Sequence, residues 1–271
     1  MPHKIAFREY GHGSIVILLH GYGGSVMHWA PVVERLKESH RVVVPNLTHL
    51  YMSENRLLFS RIVENVADFI RTQFSGEKVS LSGMSFGGAL AWAISVKYPE
   101  LVDKMVLLNP MMPEPIPHFR LPETRYFFVL PMDGKAVLRV LGSPIGHAFL
   151  QRAAGIFRPD REDTLARLEK LKGTKLRFVA EVVAHFSWIL RNEDWKYWRQ
   201  QIGRNSNPTL MVWSQDDQLF SEEAYRDLAF QLQADRAVVW PEGGHILSKS
   251  KPDEVSILIE QFLRAVREKA A

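Results

Sequence analysis

Short runs of consecutive apolar residues alternate with longer stretches of helical periodicity in the first half of the chain. Four such runs, rich in β-branched residues, predict strands at 14–20, 41–46, 78–83 and 104–110. Continuous apolar runs are typical of strands that are covered on both faces, as in a parallel sheet. Between them, apolar residues at helical spacing predict helices at 31–39, 59–74 and 87–99. This alternation indicates a doubly wound, mostly parallel α/β sheet, which binds ligands at the carboxyl ends of its strands.

The alternation stops after Pro110 and resumes at residue 208. Six prolines between 110 and 131 are followed by helical patterns at 133–141, 161–172 and 177–190. Strand patterns return at 208–214 and 236–241, and a final helix is predicted at 253–270. We therefore predict an α/β core formed by 1–110 and 206–271, with a helical lid inserted between sheet strands at 111–205. The alternative is that these helices simply cover the sheet.

The sequence GMSFG, residues 83–87, lies between a predicted strand and a predicted helix. A G-x-S-x-G pattern in this context forms a sharp turn that lifts the serine hydroxyl clear of the sheet. Gly83 and Gly87 are needed because the turn leaves no room for a Cβ at either position. The following helix adds the positive end of its dipole beneath the hydroxyl. Ser85 is therefore the candidate nucleophile, and the alternative is a glycine-rich turn with an incidental serine.

A serine hydroxyl becomes a nucleophile at neutral pH only with a base, and the base needs an orienting carboxylate. After such a turn, these partners follow along the chain in the order acid, then histidine. Asp216 and Asp217 follow the predicted strand at 208–214, and His245 follows the next strand in a loop with two glycines. An acidic pair or a loop histidine is by itself ordinary polar surface. Their order and their positions after strands favour a catalytic triad with Ser85.

An acyl-transfer site also needs backbone N–H groups that stabilise the oxyanion of the tetrahedral intermediate. One donor is expected from Phe86, the residue after the serine, and the second from a loop after an earlier strand. The sequence LLHGYGGS follows such a strand, and its glycines allow close approach to a substrate. Tyr22 is the expected second donor, supported by His20 and Gly21. We interpret His20 as shaping this loop, with a role as a base as the alternative.

Together these segments resemble the α/β-hydrolase fold family over nearly the whole chain. The resemblance rests on LLHGYGGSVMHWAPVVERL, GMSFGGALAWAISVKYP, PTLMVWSQDDQLFS and GGHILSKSKPDEV. The W-G-x-x-D pattern of the family corresponds to residues 213–217, which favours Asp217 over Asp216 as the triad acid, with Ser214 in place of the usual glycine. Residues 45–53 depart from the family's P-D-x-x-G-x-G-x-S pattern, and their bulky side chains alter the flank of the site.

The resemblance implies a cofactor-independent serine hydrolase that cleaves small-molecule carboxylic esters through an acyl-enzyme intermediate. Relatives that resemble epoxide hydrolases and haloalkane dehalogenases place an aspartate at the position of Ser85, so those reactions are disfavoured. Hydrolysis of lipids of the monoacylglycerol type and of carbon–carbon bonds uses the same triad and stays open. A non-catalytic small-ligand receptor on the same fold is the hypothesis from another class, which a complete triad disfavours.

Composition adds only a few exclusions to the predicted fold and function. The chain has 271 residues, 46% hydrophobic and 24% charged, as in soluble globular proteins. It has no cysteine, which excludes disulfides and thiolate chemistry, and it has no metal-binding histidine pair, so we expect no metal. The N-terminus has no apolar secretory segment, which predicts a cytoplasmic protein.

Charge is uneven along the chain. The net charge is +4, yet residues 133–177 alone contain ten Lys and Arg against five Asp and Glu. We expect no nucleic acid partner, because isolated aromatic residues at helical spacing favour packing over base stacking. The basic region is interpreted as a solvated outer face of the lid. The alternative hypothesis is a weak contact with an anionic membrane surface.

Overall fold

The computed structural model describes residues 4–52, 57–113, 133–146, 148 and 173–268. Seven strands form one sheet in the order β1-β3-β2-β4-β5-β6-β7. Strand β1 is antiparallel to β3, and all other neighbouring strands are parallel. The strands are β1 (Phe7–Tyr10), β2 (Ile15–Leu19), β3 (Arg41–Pro45), β4 (Val79–Met84), β5 (Val102–Leu108), β6 (Thr209–Ser214) and β7 (Arg236–Trp240).

Helices flank this sheet on both faces. In the described part of the chain they are α1 (Ala30–Leu36), α2 (Phe59–Gln73), α3 (Phe86–Lys97), α4 (Gly134–Leu141), α5 (Thr174–Arg191), α6 (Glu193–Arg199), α7 (Glu222–Gln231), α8 (Leu247–Ser250) and α9 (Pro252–Glu268). The helix predicted at 161–172 lies outside the described residues. None of the helices in the described ranges combines the length and apolar character that crossing a membrane requires.

The central strands are apolar throughout because both of their faces are buried. In β2, Ile15, Ile17 and Leu19 pack into the core that contains α2 and α3. Val16 and Leu18 point the other way, into the core formed with α1 and α9. Burial of both faces explains why these strands read as continuous apolar runs. The predicted doubly wound, mostly parallel α/β sheet is confirmed.

Helices α4, α5 and α6 follow β5 and precede β6, so they lie within the segment predicted as a lid. Helices α4 and α5 share a small apolar cluster of their own, formed by Val137, Leu141, Ala180 and Ala184. The end of α5 and all of α6 are different, because Ile189, Leu190, Trp195 and Trp198 belong to the main core beside α2 and α3. The second half of the insertion is therefore packed against the helices that cover the sheet, and this packing holds the end of α5 in position.

Candidate active site

Ser85 lies between the last residue of β4 and the first residue of α3. Its backbone has φ 55° and ψ −123°, a conformation that residues other than glycine rarely adopt and that costs about 1–3 kcal/mol. A Cβ on Gly83 would collide with the Gly87 carbonyl, and a Cβ on Gly87 would collide with the Leu19 carbonyl oxygen. The turn is therefore closed to larger residues at both positions, as the sequence pattern requires. Ser85 itself is half-buried.

The predicted acid and base lie together in the structure. Asp217, not Asp216, reaches the imidazole, with its Oδ2 2.8 Å from His245 Nδ1. The Asp217 carboxylate is fully buried and held in place, because Oδ1 accepts the Leu219 N–H at 2.7 Å and Oδ2 also accepts the Tyr225 hydroxyl at 2.6 Å. A carboxylate at Nδ1 fixes the imidazole tautomer whose Nε2 is free of a proton. This tautomer is the one that can accept a proton from a nucleophile.

Two further residues at the end of β6 and just after it hold the segment that precedes His245. Asp216 Oδ1 accepts the Gly244 N–H at 2.7 Å, and Ser214 Oγ donates to the Gly244 carbonyl at 2.6 Å. Ser214 is the residue that departs from the glycine of the family pattern, and here its hydroxyl gives the histidine loop an additional anchor. Sequence reasoning missed both roles, since neither contact leaves a signal in the local pattern.

Asn109 connects the nucleophile turn to the histidine loop. It is fully buried, with φ 38°, and its Nδ2 donates to the carbonyls of Gly244 and His245 at 2.8 and 2.9 Å. Its Oδ1 accepts the Ser214 N–H at 3.0 Å. The residue just before it, Leu108, accepts the Ser85 N–H through its carbonyl at 3.0 Å. Consecutive residues at the end of β5 therefore anchor the segments that carry the nucleophile and the base.

Replacing Asn109 with alanine is expected to lower the free energy of unfolding by about 2–4 kcal/mol, because the buried His245 carbonyl and the buried Ser214 N–H lose their partner. The Gly244 carbonyl loses one of its two donors and keeps the Ser214 hydroxyl. Alanine is also strained at this positive φ. Equilibrium unfolding in urea measures the loss. Asn46→Ala is the control, since Asn46 is exposed and only caps the Thr48 N–H, and it should cost less than about 1 kcal/mol. Equal losses in the two variants would contradict the anchoring role.

The segments predicted to supply oxyanion donors flank Ser85 on both sides. Phe86 is the first residue of α3, so its N–H has no acceptor within the helix. On the other side lies the β2 loop, residues 20–25. A Cβ on Gly21 would lie 3.1 Å from Ser85 Cβ and 3.6 Å from its Oγ, so the loop passes close to the nucleophile and a larger residue would be tightly packed against it. The Gly24 N–H donates to the Gly21 carbonyl at 3.0 Å and closes a turn that contains Tyr22.

His20 uses both ring nitrogens to hold the β2 loop. Its Nε2 accepts the Leu47 N–H at 3.0 Å, so Nδ1 carries the proton and donates to the Gly21 carbonyl at 3.0 Å. Burial lowers the pKa of His20 from its usual 6.5 to about 4, so the ring is neutral at physiological pH. This arrangement agrees with the loop-shaping role predicted for His20, because neither nitrogen is available to act as a base.

Two predictions fall partly or wholly on residues that the structure does not describe. Much of the basic region 133–177 lies outside the described ranges, so its contact with an anionic surface stays a prediction. Among the residues that the structure describes, no group of three or more His, Cys, Asp or Glu side chains is placed to hold a metal ion.

The family model of the alpha/beta hydrolase fold matches residues 14–252. The chain belongs to this family. The hydrolase is 24% identical, over 96% of its length, to 2-hydroxy-6-oxo-6-phenylhexa-2,4-dienoate hydrolase of Comamonas testosteroni, of which it covers 91%. It is also 24% identical, over 97% of its length, to epoxide hydrolase 4 of Mus musculus, of which it covers 76%. These relatives are hydrolases, and this family member is an enzyme of that class.

Solved structures give the same architecture. A thermophilic esterase from Thermogutta terrifontis superposes with a TM-score of 0.70 at 20% identity, covering 97% of this hydrolase and 93% of the esterase. At this level of identity the likeness concerns the fold alone. The assignment of a reaction must therefore come from the residues of this site.

Proposed function

We propose that this hydrolase cleaves carboxylic esters of small molecules, with Ser85, His245 and Asp217 as its catalytic triad. The observation that carries the proposal is the 2.8 Å contact between Asp217 and His245, in a loop that Asn109 ties to the end of β5 beside the Ser85 turn. A buried carboxylate bonded to an imidazole orients the ring and stabilises its charged form when the ring takes a proton from a hydroxyl. A pure binding protein has no such requirement.

In the first half of the reaction, Ser85 Oγ forms a bond to the ester carbonyl carbon as its proton passes to His245 Nε2. The carbonyl oxygen becomes an oxyanion in the tetrahedral intermediate. Asp217 stabilises the imidazolium that results and does not itself take the proton. When the intermediate collapses, the carbon–oxygen bond to the alcohol breaks, and His245 returns its proton to the departing alkoxide. The products are the free alcohol and an acyl group esterified to Ser85.

In the second half, water takes the place of the alcohol. His245 accepts a proton from water as the water oxygen bonds to the acyl carbon. A second tetrahedral intermediate forms, its bond to Ser85 Oγ breaks, and the proton on His245 passes to that oxygen. The carboxylic acid is released and the starting enzyme is regenerated, with no cofactor or redox step. In both intermediates the backbone N–H groups of Phe86 and Tyr22 are the proposed donors to the oxyanion.

Hydrolysis of a carbon–carbon bond is the second candidate, favoured by the similarity to the dienoate hydrolase of Comamonas testosteroni. Such a reaction has an added requirement, because a carbon leaving group must first be made stable by protonation elsewhere on the substrate. An alkoxide needs only the proton that His245 carries. The triad and two amide donors therefore meet every need of ester cleavage, which is why we favour esters.

Turnover of p-nitrophenyl esters from acetate to decanoate, compared with a 2-hydroxy-6-oxo-dienoate, tests the choice between these reactions. We expect kcat/KM for the best ester to exceed that for the dienoate by at least about tenfold. A maximum at the longest chains would favour a lipid substrate of the monoacylglycerol type. Faster cleavage of the dienoate, measured with the same preparation, would instead favour carbon–carbon bond hydrolysis and remove the ester proposal.

A further inference from the structure

Tyr22 is the only side chain in a stretch otherwise made of glycine, Gly21 to Gly24. Glycine leaves a backbone free to adopt many conformations, so the stretch by itself does not fix the direction of the Tyr22 N–H. His20 and the Gly24–Gly21 hydrogen bond hold the ends of this stretch, and the side chain of Tyr22 is what can fix the residue between them. The contacts of the Tyr22 ring and hydroxyl therefore bear directly on its proposed role as an oxyanion donor.

The Tyr22 ring is held by aromatic neighbours from three separate segments. It stacks on Tyr51, which follows β3, with ring centres 4.5 Å apart. It packs against Phe186 of helix α5 at 4.5 Å and meets the edge of Phe86 at 5.0 Å. Tyr51 belongs to the bulky segment 45–53 that departs from the family pattern, so the departure has a structural use here. These rings restrict the orientation of the Tyr22 ring, but ring contacts alone do not prevent it from moving within its own plane.

The Tyr22 hydroxyl is fixed by a histidine of the inserted helices. It lies 2.5 Å from Nδ1 of His185 on α5, and 3.2 Å from the Tyr51 carbonyl. His185 is almost fully buried, and its Nε2 lies 3.1 Å from the Leu57 carbonyl. A carbonyl can only accept, so Nε2 carries the proton and Nδ1 accepts the Tyr22 hydroxyl. Burial lowers the pKa of His185, which agrees with a neutral ring in this role.

We infer that His185 is a positioning residue for the reaction: its hydrogen bond to the Tyr22 hydroxyl holds the Tyr22 N–H in the direction that an oxyanion needs. Helix α5 thereby helps to set the geometry of the site, although it is inserted far along the chain from the β2 loop. The inference rests on the function proposed above. It extends that function, because His185 would influence the rate of the chemical step through Tyr22, without contacting the reacting atoms itself.

Tyr22→Phe tests the inference, since it removes only the hydroxyl and leaves the ring and the backbone N–H. We expect kcat for a p-nitrophenyl ester to fall about tenfold, with KM changed by less than about twofold, because the lost interaction is made in the transition state. Affinity for an aryl trifluoromethyl ketone, which forms an oxyanion on Ser85, should fall by the same factor. Tyr197→Phe is the matched control, because it removes an exposed hydroxyl from α6, and it should change neither value.

The partner residue gives a second test that separates positioning from stability. His185→Leu should reproduce the loss in kcat, and the double variant Tyr22→Phe/His185→Leu should lose no more than either single variant. His185→Asn should recover part of the rate, because its amide oxygen can accept near the position of Nδ1. His185→Leu takes the Nε2 proton from the Leu57 carbonyl, and Tyr22→Phe takes the hydroxyl from the Tyr51 carbonyl, so the double variant removes a donor from both carbonyls. The melting temperature is therefore expected to fall in the double variant as well, while its kcat is no lower than that of either single variant.

The outcomes distinguish this inference from the proposed function. Unchanged kcat in Tyr22→Phe, in a protein whose Ser85→Ala variant is inactive, would overturn the role of His185 and leave the ester hydrolase intact. A kcat that stays at the wild-type value in His185→Leu while the melting temperature falls would reduce His185 to a structural residue. A wild-type protein that neither cleaves esters nor reacts with the ketone would remove the proposed function, and this inference with it.

Discussion

Replacing Ser85 with alanine is expected to lower kcat for p-nitrophenyl esters by at least about 10⁴-fold, because no acyl-enzyme can form without the hydroxyl. The loss should appear in kcat/KM to the same extent. Folding should be retained, since Ser85 keeps its place through backbone contacts, among them its N–H to the Leu108 carbonyl. Steady-state kinetics and a thermal unfolding curve measure the two effects on one preparation.

Ser82 offers a matched control for this experiment. It lies on β4, three residues before Ser85, is buried, and its hydroxyl has no hydrogen-bond partner among the residues that the structure describes. Ser82→Ala should keep full activity, and its free energy of unfolding should be unchanged or about 1 kcal/mol higher, because an unpaired buried hydroxyl is removed. Comparable turnover in Ser85→Ala and Ser82→Ala would exclude Ser85 as the nucleophile.

Asp217→Asn is expected to lower kcat by about 10⁴-fold while the fold is retained. The cause is the pattern of donors around the carboxylate. Leu219 N–H requires an oxygen at Oδ1, so the amide NH₂ is directed to the Oδ2 position, where the imidazole of His245 lies. The His245 ring must then present Nδ1 as an acceptor, which leaves the proton on Nε2. A ring in that tautomer cannot take the proton of Ser85.

Asp216→Asn is the informative comparison, because the two carboxylates are adjacent in sequence but only Asp217 contacts the imidazole of His245. Asp216 Oδ1 accepts the Gly244 N–H, and an amide oxygen can replace it there. We expect a loss of less than about fivefold in kcat. A larger loss in Asp216→Asn than in Asp217→Asn, measured by the same ester assay, would reverse the assignment of the acid.

The fold was predictable wherever a strand is buried on both faces, because burial alone then determines an apolar run. The strands β2 to β6 follow this rule. Strand β1 was not predicted, since Phe7–Tyr10 lies at the sheet edge and is mostly exposed, which leaves no apolar run to detect. Helix α7 was missed because it is an ordinary surface helix with only Tyr225, Leu228 and Ala229 buried.

The chemistry was predictable to the extent that it depends on local backbone shape and chain order. The turn at Ser85 requires glycines at fixed positions, and its partners follow in a fixed order, so the sequence carries both signals. The supporting contacts of Asn109 and His185 depend on which segments meet in space. The signal for Asn109 was a polar residue directly after β5, at the edge where ligands bind. For His185 the sequence offers no comparable signal, because its partner Tyr22 is distant along the chain.

The central claim is that Ser85 is an activated nucleophile, and reaction with a fluorophosphonate tests it most directly. Such a reagent phosphonylates a serine only when a neighbouring base takes its proton, so mapping the modified peptide by mass spectrometry identifies the residue. We expect a single modified residue, Ser85, and a labelling rate that falls in Asp217→Asn by about the same factor as ester turnover. Ester turnover by a protein that is unmodified at Ser85, or modified at another residue, would contradict it.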